Sequence, residues 1–100
     1  MKTERRDEPG GVRILIKEDL DMHVAAELQT ALHGALHDKP KSLIVDLAGV
    51  GFIDSAGLAV IIESLKRARQ GSIAFRVENL TAQVKDTFEI SGLTKILGIS

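Results

Sequence analysis

Asp54-Ser55-Ala56-Gly57-Leu58 sets a hydroxyl beside a carboxylate at the mouth of an amphipathic helix. The helix is read from Leu58, Ile61, Ile62 and Leu65, whose spacings of three and four place them on one face. Ser55 then falls in the first turn, where unpaired N–H groups and the positive dipole end receive negative charge. The chemistry this suggests is acceptance of a phosphoryl group by an exposed hydroxyl. The same residue type also serves as a plain helix cap, and Asp54 could simply brace the loop.

Other reactive side chains make weaker constellations. His33 and His37 stand four apart on a predicted helix and could share a metal, but no third ligand is in register, so a solvated helix face is expected. His23 reads as surface in the same way. Ile53-Asp54-Ser55-Ala56-Gly57 resembles a nucleophile elbow with its first glycine replaced by Ile53, and all three histidines precede Ser55. Gly49-Val50-Gly51 is followed by Asp54 where a dinucleotide fingerprint needs its third glycine, and that carboxylate would repel a pyrophosphate. An enzyme, a resident cofactor and a metal site are therefore not expected.

Composition narrows the partners. The 100 residues suit one domain, and at 44% apolar they suit a folded one. A net charge of -1 gives no pull toward nucleic acid or anionic membrane, and three phenylalanines are too few for base stacking. With no cysteine, disulfides and thiolate metal sites are excluded. The charged start Met1-Lys2-Thr3-Glu4 is followed by no apolar signal core, and no apolar run approaches a membrane span, so cytoplasmic residence is expected.

The elements that must position Ser55 follow from periodicity and punctuation. Residues 1–11 form a polar N-terminal segment or an edge strand, ending at Pro9-Gly10-Gly11. Residues 12–100 form the domain proper. Val12 to Ile16 is β-branched and predicts a strand. Asp19 to Asp21 offers capping carboxylates, Asp21 as N-cap, for a helix lined by Val24, Leu28, Ala31, Leu32, Ala35 and Leu36. Ser42 to Leu47 predicts a central strand covered on both faces. The helix that begins at Ser55 runs to Gly71, followed by a strand over Ile73 to Val77 and a short helix from Leu80 with Val84 and Phe88 four apart. Ile96 to Ile99 is read as a last strand. Alternating strands and helices predict an α/β domain, with a mixed, mostly parallel central sheet packed with three to four helices. Ser55 would lie at the carboxyl ends of the strands, where ligands and partners gather.

Ile44-Val45-Asp46-Leu47 followed by Phe52-Ile53-Asp54-Ser55-Ala56-Gly57-Leu58 resembles the STAS domain, and within it the bacterial anti-sigma factor antagonists. Leu20-Asp21, Val84 with Phe88, and Ser91-Gly92-Leu93 agree with the same pattern. The resemblance runs from about Val12 to Ile99. It implies a non-catalytic protein that regulates transcription by partner switching. In this family the unphosphorylated form binds an anti-sigma factor that is itself a serine kinase, which frees the sigma factor. The kinase, using ATP and magnesium, phosphorylates the serine matching Ser55 and ends the binding, and a PP2C-type phosphatase restores it. The resemblance makes Ser55 the phosphoacceptor. Asp21 and Asp54 would line the same surface, with Ala56 beside them and Gly57 allowing a partner close to the backbone. Val60 and Ala59 lie off the apolar stripe and would extend that surface, unless a second layer covers them. A monomer or weak dimer is expected.

Two departures from the family pattern stand out. Glu18 occupies a position where glycine is usual, and the sequence given ends at Ser100 where many relatives continue into another helix. Other STAS domains act as stress-signalling scaffolds or as small subunits of lipid-transport ABC complexes. The latter can retain an Asp-Ser/Thr-Ala-Gly-Leu-like segment, with the helix that follows it docking on the ATPase without phosphotransfer; a scaffold or such a subunit is the alternative function.

Overall fold

The computed structural model describes residues 2–97. Four strands, β1 (Thr3–Glu8), β2 (Gly11–Ile16), β3 (Ser42–Asp46) and β4 (Ala74–Glu78), form one sheet in the order β1-β2-β3-β4. The helices are α1 (Ala25–His37), α2 (Ser55–Gln70), α3 (Ala82–Ile90) and α4 (Leu93–Leu97). β1 and β2 pair antiparallel, whereas β2, β3 and β4 run parallel. This is the mixed, mostly parallel α/β domain that the alternation of patterns predicts. Pro9 and Gly10 close the β1–β2 hairpin, and Gly10 takes the φ of +85° that glycine adopts without strain.

Strand order fixes the layers. Successive parallel strands step in one direction, so right-handed crossovers lay α1 and α2 on the same face of the sheet. That face carries Val12, Ile14 and Ile16 of β2, Leu43 and Val45 of β3 and Val77 of β4, all buried. Against them pack Leu28, Leu32, Ala35 and Leu36 of α1, and Leu58, Ile61 and Ala68 of α2. Val84 and Phe88 of α3 are fully buried in the same core, as their spacing of four requires.

The opposite face differs from expectation. β3 is central, but only its helix side is fully buried. Ile44 on the other side is half-buried, because no crossover lies over it and charged side chains cover it instead. Arg13 reaches across this face to Asp46 at 3.0 Å, Glu78 at 3.0 Å and Glu8 at 3.4 Å, and so joins all four strands. The bond to Glu78 above all holds the Arg13 guanidinium above its ordinary pKa, against the opposing pull of desolvation. Asp46 also accepts from the Ala48 N–H at 3.0 Å and the Asn79 amide at 2.9 Å, which anchors the loop leading to Ser55.

The closing segment is helical rather than a strand. Ile96 and Leu97 belong to α4, after a Gly92 turn at φ +75°, and Leu93 plugs the core; residues 98 and 99 of the expected strand lie outside the described residues.

Candidate functional site

The parallel pairing of β2 and β3 ends at Leu15 and Asp46, yet the two chains meet again farther on. Leu20 and Ile53 form an isolated parallel bridge, both essentially buried. Leu20 N–H donates to the Phe52 carbonyl at 2.9 Å, and Asp54 N–H donates to the Leu20 carbonyl at 3.0 Å. Gly51 N–H donates to the Asp19 carboxylate at 3.1 Å, and Thr81 Oγ1 donates to the Val50 carbonyl at 2.8 Å. The 19–22 and 50–54 segments are thus laced together at the carboxyl ends of the parallel strands, where α/β sheets present their sites.

Asp54 starts α2. Its backbone is extended, its Oδ1 accepts from the Gly57 N–H at 3.0 Å, and its carbonyl takes the first helical bond from Leu58 N–H at 2.9 Å. Its Oδ2 accepts from the Met22 N–H at 3.0 Å. One carboxylate therefore caps the helix and ties it to the 19–22 segment, so the cap is Asp54 and not Ser55. Ser55 is the first helical residue and is exposed, and its hydroxyl has no hydrogen-bond partner among the described residues. In helical geometry the N–H groups of Ser55 and Ala56 have no intrahelical partner and remain available to an anion.

The other predicted site residues divide. Asp21 is half-buried and near, but it is not the N-cap of α1. Its Oδ1 accepts from the His23 N–H at 2.9 Å in a turn preceding the helix, and Val24 occupies the cap position without a side-chain bond. Ala56 is half-buried at the surface. Gly57 serves the interior instead of offering backbone to a partner. It is buried, and a Cβ there would lie 2.9 Å from both Ile53 Cγ1 and the Leu20 carbonyl. Val60 is half-buried against the core, while Ala59 is exposed. Glu18 is half-buried, and its neighbour Asp19 makes the loop contact.

Two residues of this surface went unread in the sequence. Met22 is 69% and Phe52 49% exposed, on the two segments that Asp54 and Leu20 hold together. The signal was available, because in extended chain the neighbour of a buried Ile53 points outward. His33 and His37 sit elsewhere, and no cluster of three potential metal ligands occurs among the described residues. No described helix is long and apolar enough to cross a membrane.

The fold and this turn define a class of small α/β domain that presents a serine at the start of its second helix. Residues 2–100 match the STAS domain, and the chain belongs to that family. It is 28% identical over 89 residues to the anti-sigma-B factor antagonist of Bacillus subtilis (strain 168), covering 89% of this chain and 81% of the relative. Among solved structures, an anti-sigma factor antagonist from Mycobacterium paratuberculosis superposes with a TM-score of 0.88 at 24% identity, over 96% of this chain and 81% of that one. Also similar are the anti-sigma factor antagonist SpoIIAA in its unphosphorylated form and the Bacillus cell fate determinant SpoIIAA in the phosphorylated form. The unphosphorylated form has a TM-score of 0.81 at 18% identity (94% and 84% of the two chains), the phosphorylated form 0.74 at 17% (94% and 86%). At these identities the structural likeness establishes the fold.

Proposed function

We propose that this protein is an anti-sigma factor antagonist, regulated by phosphorylation at Ser55. Unphosphorylated, it binds an anti-sigma factor that is also a serine kinase. The phosphate added to Ser55 ends the binding, and a PP2C-type phosphatase reverses the modification. The observation carrying this reading is the exposed, unpartnered Ser55 hydroxyl on a turn held rigid by Asp54. With no general base bonded to it among the described residues, that hydroxyl is suited to attack a phosphoryl group only where a kinase supplies the base, so the protein acts as a substrate and not as an enzyme. It acts in the cytoplasm, where ATP-dependent kinases operate.

Asp21, Ser55, Ala56 and the free edge of Val60 form the contact surface, flanked by Met22 and Phe52. Asp54 and Gly57 hold it from behind. A partner resting on Met22 and Phe52 must desolvate whatever stands at Ser55. A neutral hydroxyl adds little to that cost, whereas a phosphate adds between one and two negative charges beside Asp54 and Asp21. A loss of about 3 kcal/mol weakens binding by roughly a hundredfold. Inside the fold the new charge meets the open Ser55 and Ala56 N–H groups, which offset its repulsion from Asp54. The switch then works at the interface without refolding, and the shared fold of both SpoIIAA forms supports this.

Incubation with an anti-sigma factor serine kinase of the same genome and ATP, followed by mass mapping, tests the reading. Phosphate on Ser55 is expected. A kinase that is active on other substrates but leaves Ser55 unmodified would favour docking without phosphotransfer, as in a scaffold or transporter subunit.

A further inference from the structure

A cleft of about 560 Å³ lies between the C-terminal ends of α1 and α2, roughly 18 Å along α2 from Ser55. Its size is that of a small-molecule site. His33 and His37 of α1, Lys39 just beyond it, and Arg67 and Gln70 of α2 line it over a floor of Leu36 and Ile73, with no carboxylate in the lining. From these residues we infer a binding site for a small phosphate monoester, with its phosphate between Lys39 and Arg67 and its apolar body on Leu36 and Ile73.

Cations near helix C-termini commonly answer the helix dipole. Here the terminal carbonyls are already engaged by backbone. Asp38 N–H donates to Ala35 O and Lys39 N–H to Leu36 O, while Gly71 N–H and Ile73 N–H serve Arg67 O and Ala68 O. The Lys39 and Arg67 side chains make no bond to them. Two helix ends contribute about one negative charge in total, against two full positive charges from Lys39 and Arg67. Glu63, beside Arg67 and His33 at the edge of the cleft, offsets most of the remaining positive charge, so what the lining offers an anion is a set of converging donors and not a net positive field.

Three of the donors are also uncommitted. Lys39, His37 and Gln70 have no side-chain partner among the described residues. Arg67 has only Glu63, one turn back at 3.4 Å, in an exposed pair of small energetic weight. The His33 Nε2 atom is buried and lies 3.5 Å from Glu63, within ion-pair range but making no hydrogen bond. Lys39 lines the cleft from a left-handed backbone at φ 52°.

The test is a titration of the ¹⁵N-labelled protein with phenyl phosphate at fixed ionic strength in phosphate-free buffer, with phenol and sodium chloride as controls. Saturable shifts confined to residues 33–39 and 67–73 are expected, with phenol binding at least tenfold more weakly. Lys39→Gln combined with Arg67→Gln, both at exposed positions, should weaken phenyl phosphate at least tenfold while leaving the remaining spectrum unchanged. Shifts that never saturate, that centre on Ser55 to Gly57, that phenol reproduces equally, or that survive the double substitution would overturn the site. None of these outcomes bears on Ser55 phosphorylation, so the two readings stand or fall separately.

Discussion

Gly57→Ala and Gly34→Ala make the same chemical change in a helix and should have opposite effects. Alanine in a helix interior is favoured over glycine by about 1 kcal/mol, and at Gly34 nothing else changes. That residue is exposed in α1, and an added Cβ meets no atom within 4 Å. Gly34→Ala should therefore stabilise by about 1 kcal/mol. At Gly57 the same gain is opposed by contact at 2.9 Å with the Leu20 carbonyl and Ile53 Cγ1, and at 3.1 Å with Leu20 Cβ. The carbonyl cannot retreat without breaking its bond from Asp54 N–H, and Ile53 is 2% exposed in the packed interior. Overpacking of this kind costs about 1–3 kcal/mol, so its upper range exceeds the propensity gain and leaves a net loss of about 1–2 kcal/mol. For a domain this small that lowers Tm by about 5–10 °C, while Gly34→Ala raises it by several degrees. Urea melts with an unchanged m-value would measure both. A Gly57→Ala protein as stable as the parent would refute the claim that α2 is seated on the Leu20–Ile53 bridge.

Asp54→Ala removes the helix cap and the Met22 tether together, and should cost about 2 kcal/mol in denaturant melts; Asp54→Asn, which keeps an acceptor at the cap, should cost about half as much. Equal losses for both would mean that carboxylate charge, and not bonding geometry, holds the turn. Ser64 is fully buried in α2 with an unpartnered hydroxyl, so Ser64→Ala should raise stability by about 1 kcal/mol, read as an increase in Tm. A decrease would reveal a bonding partner for that oxygen. The hydrogen bond from Arg6, then that from Lys17, holds the Glu4 carboxyl below its ordinary 4.5. This stabilisation is complete above the unfolded value and is lost as pH falls through the lower folded one. Amide protection across Thr3–Glu8 should fall in acid more than in Glu4→Gln, and equal pH profiles would contradict it.

Where burial follows from short-range spacing, the sequence is a sufficient guide. Leu58, Ile61 and Leu65 lie on the inner face of α2, and Val84 and Phe88 reach full burial because a four-residue step returns to the same side of a helix. Ser55 is legible for the same reason, as the residue at which a loop becomes an amphipathic turn. What escaped reading depends on contacts distant in sequence. Gly57 looks like a surface glycine until Leu20 is placed against it. Asp21 looks like a helix cap until its carboxylate closes the turn before Val24. Arg13 reads as one polar residue in a strand, whereas three strands supply its carboxylates. Ile96 and Leu97 are apolar enough for a strand, but the turn at Gly92 and the burial of Leu93 direct the chain into α4. Met22 and Phe52 become a joint surface only once Asp54 and Leu20 lace their segments together.

The most direct test is calorimetric titration of an anti-sigma factor kinase of the same genome, without ATP, with unmodified protein and with protein stoichiometrically phosphorylated at Ser55. We expect tight binding by the first and at least a hundredfold weaker binding by the second, with closely similar Tm values for the two free proteins. Equal affinities, or a phosphorylated form that loses its fold, would contradict a switch that acts through charge at the start of α2.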